Sequence, residues 1–128
     1  MTPVAAPVAL VYDRCASRSV RHLEMRLLGC DTYIDRMGWT MAGRWVDLGE
    51  DALTERHPKL DVLLDAMREA AAQREVLCLV HNWDRLAADA EHRMSLRKRV
   101  VEAGGWTETR CQNPGPGARP PGLALSLS

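Results

Sequence analysis

Val8 to Tyr12 is an unbroken apolar run, the pattern of a parallel strand buried on both faces. The period then turns helical. Val20, Leu23, Leu27, Cys30, Ile34 and Met37 recur at spacings of three and four, which draws one apolar stripe along a helix that Gly38 ends. Trp39 to Leu48 predicts a second strand, closed by a polar loop from Gly49. Pro58 stands where a first helical residue would, and Leu60, Leu63, Leu64 and Met67 follow on one face. Val76 to Val80 is a further all-apolar strand. A third helix is predicted over about Asp89 to Ala103, stopped by Gly104-Gly105, and Trp106 to Cys111 reads as a last short strand.

Strands separated by long helices imply βαβ units. The predicted fold class is therefore α/β: a mainly parallel four-stranded sheet with helices on both faces. Such sheets carry function at the carboxyl ends of their strands, which directs attention to the residues after Tyr12 and after Val80. Residues 1–111 are predicted to form one domain. From 112 to 128 the chain changes character: four of its seven prolines lie there among glycines, without periodicity, and a disordered tail is expected.

Composition narrows this picture modestly. The 128 residues are 46% apolar, enough to build a core, and with no Phe that core must be aliphatic, filled out by Met and four Trp. Seventeen basic residues balance seventeen acidic ones, which argues against whole-surface capture of DNA but leaves local basic patches open. Cys15, Cys30, Cys78 and Cys111 form no CxxC pair and have no His at ligand spacing, so no zinc site and no cofactor is expected. Free cysteines in apolar runs suit a reducing cytoplasm. The segment Met1 to Leu10 lacks the basic start of a signal peptide, and no run approaches the ~18 apolar residues of a membrane span, so no membrane partner is expected.

The first strand runs into Tyr12-Asp13-Arg14-Cys15-Ala16-Ser17, the third into His81-Asn82-Trp83-Asp84-Arg85. Topology should bring Arg14 to Asp84 and Arg85 at one rim. Two guanidiniums there make a phosphate clamp, with Asp84 orienting one of them or moving a proton; the other reading is a structural Arg–Asp pair. His22, His57, His81 and His92 are scattered and read as surface residues, and Cys15 as a packed strand residue. Arg93, Arg97, Lys98 and Arg99 form a basic run on the third helix, a solvated face or a set of phosphate contacts.

Tyr-x-Arg at the end of the first strand resembles the Tyr-x-Arg-x-Ser opening of the serine recombinases, the resolvase/invertase family. Leu23-Glu24 stands at its Leu-Glu-x-Gln segment, and Val46-Asp47-Leu48-Gly49 resembles its Asp-x-Gly loop. His57-Pro58-Lys59-Leu60 with Leu63-Leu64 is similar to its Arg-Pro-x-Leu-x-x-Leu-Leu helix start. Asp84-Arg85-Leu86 after Val76 to Val80 resembles its Asp-Arg-Leu-x-Arg signature, and Ala103-Gly104-Gly105 its next loop.

The resemblance implies a resolvase-type catalytic core and, as family chemistry, DNA strand transfer through a phosphoserine intermediate. That reaction needs an activated hydroxyl and cations around the phosphoryl group. The departures fall on those parts: Ala16 holds the serine position, His57 and Ala88 hold two arginine positions, and Arg26 replaces the Gln. Ser17 is one residue away, and neighbouring residues leaving a strand face opposite sides. The expected site is therefore a remnant of Arg14, Ser17, Asp84 and Arg85, with Arg14 and Arg85 as DNA contacts and catalysis lost or impaired. Expected partners are DNA, bound weakly, or another recombinase subunit. In the family the core continues into a further strand, a long dimerising helix and a DNA-binding domain, where this sequence has only the tail after Cys111. The alternative is a non-enzymatic α/β module for a phosphorylated ligand or a partner protein, though neither Gly-rich phosphate motif supports it.

Overall fold

A computed structural model describes residues 5–16, 20–52 and 56–111. Strands β1 (Val8–Cys15), β2 (Thr40–Leu48), β3 (Val76–Val80) and β4 (Trp106–Thr109) alternate with helices α1 (Val20–Met37), α2 (Pro58–Ala71) and α3 (Ala90–Glu102). All pairings are parallel and the strand order is β2-β1-β3-β4, so the expected parallel four-stranded sheet is present. The crossover from β1 to β2 runs one way across the sheet, and the next two run the other way. Crossovers of one hand then put α1 on one face and α2 with α3 on the opposite face.

The core divides accordingly. Ala9, Val11, Leu77 and Leu79 meet Cys30 and Ile34 of α1, while Leu10, Tyr12, Val76, Cys78 and Val80 meet Leu60, Leu63, Leu64 and Met67 of α2 and Leu96 and Val100 of α3. This two-sided burial is why β3 is apolar at every position. Strand β2 lies at the sheet edge and alternates between exposed and half-buried from Thr40 to Trp45 instead. A bulge beside Ala9/Leu10 leaves Ala42 without a partner on β1.

Two boundaries move. The apolar run predicts β1 only to Tyr12, yet its ladder with β2 continues to the Cys15–Leu48 pair. The extension is possible because Asp13 and Arg14, which end the apolar run, find partners of their own. The last strand ends at Thr109 rather than Cys111, although the Arg110 and Cys111 amides still reach the carbonyls of Val80 and His81. The predicted tail, 112–128, lies outside the described residues. No described helix is long and apolar enough to cross a membrane.

Candidate functional site

The strand order reverses between β1 and β3, and in open α/β sheets ligands bind outside the carboxyl ends of the strands at such a switch point. Arg14 stands near the carboxyl end of β1 there, and the turn Trp83–Arg85 follows β3. Arg14 Nε donates to the Asp84 carbonyl at 2.9 Å and Nη1 to the Ala52 carbonyl at 2.7 Å. In return, Arg85 Nη1 donates to the Arg14 carbonyl at 3.1 Å. Each arginine thus ties down the other's segment. Burial first, and the Arg85 charge second, lower the pKa of Arg14 below its ordinary value. A guanidinium has five N–H groups, so both retain donors for an incoming anion.

The structure brings together three of the residues singled out from sequence and gives Asp84 a specific arrangement. Its backbone carbonyl receives Arg14, whereas its exposed carboxylate stands 3.6 Å from Arg93 on α3. It therefore pairs by side chain with neither Arg14 nor Arg85. Asn82 caps the turn, its side chain accepting from the Arg85 amide at 3.2 Å. Ala16 is exposed directly beyond β1, Ala88 is exposed ahead of α3, and Ser17 lies outside the described residues.

A buried polar network lies behind the rim. Tyr12 is fully buried and donates to Asp47 Oδ2 at 2.6 Å; burial first and Asp47 second raise its pKa and hold the phenol protonated. Asp47 Oδ1 accepts the Lys59 amide at 2.9 Å. His57 precedes α2 without a side-chain cap, so Asp47 supplies from β2 an acceptor that the helix N-terminus needs. Of the four histidines read as surface residues, only His22 is exposed, and His81 and His92 are half-buried. His57 is buried, with Nδ1 3.5 Å from the Tyr12 hydroxyl and Nε2 2.6 Å from Nε2 of half-buried His92. Burial first, then His92, lower the His57 pKa.

On the α1 side, buried Asp13 accepts two hydrogen bonds of 2.9 Å from Arg26. Arg26, standing at the family's Gln position, is thus committed to a pair that the resemblance does not contain. His81 is half-buried, 3.5 Å from the Cys111 thiol, which Arg110 Nη1 approaches at 3.2 Å. Cys15 is buried, as the strand reading implies. On α3, Arg97 lies over the Trp83 ring at 4.4 Å, so the basic run is partly committed to packing. Sequence reading missed the His57–His92 and Asp13–Arg26 relationships; Asp13 carried a signal, a charged residue directly continuing the apolar run of β1 and paired with Val46 of β2. Among the described residues no group of three or more His, Cys, Asp or Glu could hold a metal.

No family model matches this sequence, and no curated protein does. Solved structures match by fold. The C-terminal catalytic domain of ISC1926 TnpA, an IS607-like serine recombinase, is similar at a TM-score of 0.64 and 17% identity, over 94% of this chain and 75% of that one. The N-terminal catalytic domain of TP901-1 integrase gives 0.66 and 17%, over 80% and 76%. A resolvase family site-specific recombinase from Streptococcus pneumoniae gives 0.65 and 14%, over 80% and 71%. The chain has the fold of the serine recombinase catalytic domains.

Proposed function

We propose that this chain is a recombinase-like domain that binds the DNA backbone at the Arg14–Arg85 rim and does not cut it. One observation carries the reading: two arginines are locked together at the switch point while the exposed residue directly beyond β1, Ala16, has no hydroxyl. Phosphate binding needs the cations, and strand transfer needs the oxygen as well. The positions His57 and Ala88 weaken catalysis further, since each missing donor to a developing oxyanion is worth about 3 kcal/mol.

In mechanistic terms, the spare N–H groups of Arg14 and Arg85 grip one phosphodiester. Its non-bridging oxygens take the two forks, and the mutual carbonyl bonds keep the guanidiniums from turning away. The nearest hydroxyl in sequence, Ser17, is one residue out of register, and ~1 Å of misplacement costs about a hundredfold in rate. Titrating a short duplex into the protein at low salt, with fluorescence anisotropy as readout, tests the reading. Binding that Arg85→Gln weakens supports it; no binding at 50 mM salt, or binding of nucleotides but not duplex, refutes it.

A further inference from the structure

An open groove of about 450 Å³ lies beside the rim, with His22, Arg26, His81, Asn82, Arg85 and Arg110 among its walls. It shares Arg85 with the clamp described above but does not include Arg14. Tyr12 and Arg14 alternate with Asp13 along β1, and Tyr12 packs toward α2, so the groove at Arg26 and His81 opens on the α1 face.

Its charges are unequal. Arg26 is neutralised by Asp13, but among the described residues no carboxylate pairs with Arg85 or Arg110. His81 registers that excess: after burial, the charges of Arg110 and Arg26 are the largest influences holding its pKa down. A second feature concerns the seat of Arg110. Gly29 lies in the middle of α1, and a Cβ there would come within 2.5 Å of Arg110 Nε and 2.7 Å of its Cζ. Glycine is a poor interior helix residue, and here it clears the space in which the guanidinium lies.

We infer that this groove is a second anion site, which takes a phosphate group between Arg110, Arg85 and His81. Arg110 and Arg85 offer planar forks to phosphate oxygens, and His81 adds a ring N–H. The volume falls within the range of small-molecule sites, so a phosphorylated small molecule fits as well as one backbone phosphate of a nucleic acid.

Calorimetric titration with inorganic phosphate at fixed ionic strength tests the inference, using Arg110→Gln and Gly29→Ala beside the unaltered protein. Saturable binding is expected, weakened at least tenfold by either variant. Gly29→Ala should melt at the same or a higher temperature, because alanine favours the helix and only a flexible side chain must move. Loss of affinity without loss of stability is the signature. Phosphate binding no different from chloride, or a Gly29→Ala protein that binds phosphate normally, would overturn the inference. Displacement of phosphate by an unphosphorylated-end duplex assigns the site to nucleic-acid backbone, and displacement by adenosine monophosphate alone assigns it to small phosphorylated molecules; both support the site. Arg85 belongs to both sites, but Arg110→Gln and Gly29→Ala leave the hydrogen bonds between the Arg14 and Arg85 segments in place. The effect of these two variants on phosphate is thus read apart from the effect of Arg85→Gln on duplex, and either reading can fail alone.

Discussion

His57 and His92, 35 positions apart, hold their Nε2 atoms 2.6 Å apart with ring planes inclined by 26°. One proton arrangement serves every donor once. Tyr12 gives its proton to Asp47, so the Tyr12–His57 contact is satisfied only if His57 Nδ1–H donates to the phenol oxygen. His57 Nε2 is then an acceptor, and His92 Nε2–H donates to it. The chain His92, His57, Tyr12, Asp47 ends at the Lys59 amide on α2.

His57 and His81 set a pH dependence. The folded-state pKa values of His57 and His81 lie below the ordinary histidine value of about 6.5. Below that pH the unfolded chain binds more protons than the native one, so stability is full above it and falls as the pH drops through it. Urea midpoints should decrease from pH 7.5 to 5.5, and His92→Gln should flatten the slope by removing the neighbouring charge. A midpoint independent of pH would contradict the lowered pKa of buried His57.

Tyr12→Phe should destabilise the fold by about 1–3 kcal/mol, because Asp47 keeps the Lys59 amide but loses its second partner in a fully buried place. Urea denaturation at pH 7 measures it. A change below about 0.5 kcal/mol would mean that the contact contributes nothing net.

The Asp13–Arg26 pair can be separated from its packing. Arg26→Met alone leaves an uncompensated carboxylate at 1% exposure and should cost about 3–5 kcal/mol. Asp13→Leu combined with Arg26→Met should recover most of that loss, since a buried ion pair is often replaceable by apolar groups. Equal loss in the single and double variants would refute this account of the pair.

The elements were legible in the sequence wherever packing imposes a period. VLCLV defines β3 to the residue, and the stripe from Leu23 to Ile34 defines the buried side of α1. The rim was legible as well, because Arg14 lies near the end of one strand and Asp84-Arg85 just after another that the topology makes its neighbour. Relationships between distant polar residues were not. Nothing local in the chain joins His57 to His92 or Asp13 to Arg26; only the fold does. For the same reason His57 is more than a missing arginine. His57→Arg would bring a cation into a buried network beside Tyr12 and His92, so it should cost stability before it adds any phosphate contact.

One phosphate gripped by two arginines also fixes a salt dependence. Each phosphate contact contributes about 0.9 to the slope of log K against log salt, so duplex binding should show a slope of about −0.9. Affinity should then fall roughly threefold between 50 and 200 mM salt. Arg85→Gln should weaken binding at every salt concentration, because Arg14 alone then holds the phosphate. A slope several times steeper would point instead to broad capture by the basic run on α3.

The absence of strand transfer is the central claim, and it has a direct readout. Unaltered protein is incubated with supercoiled DNA, denatured, and separated on a gel that retains protein-linked strands. No covalent adduct should form, and Ala16→Ser alone should still give little, because Ala88 and His57 supply no guanidinium to the phosphoryl charge. A phosphoserine link to DNA through Ser17 in the unaltered chain would contradict the account and make the protein an enzyme.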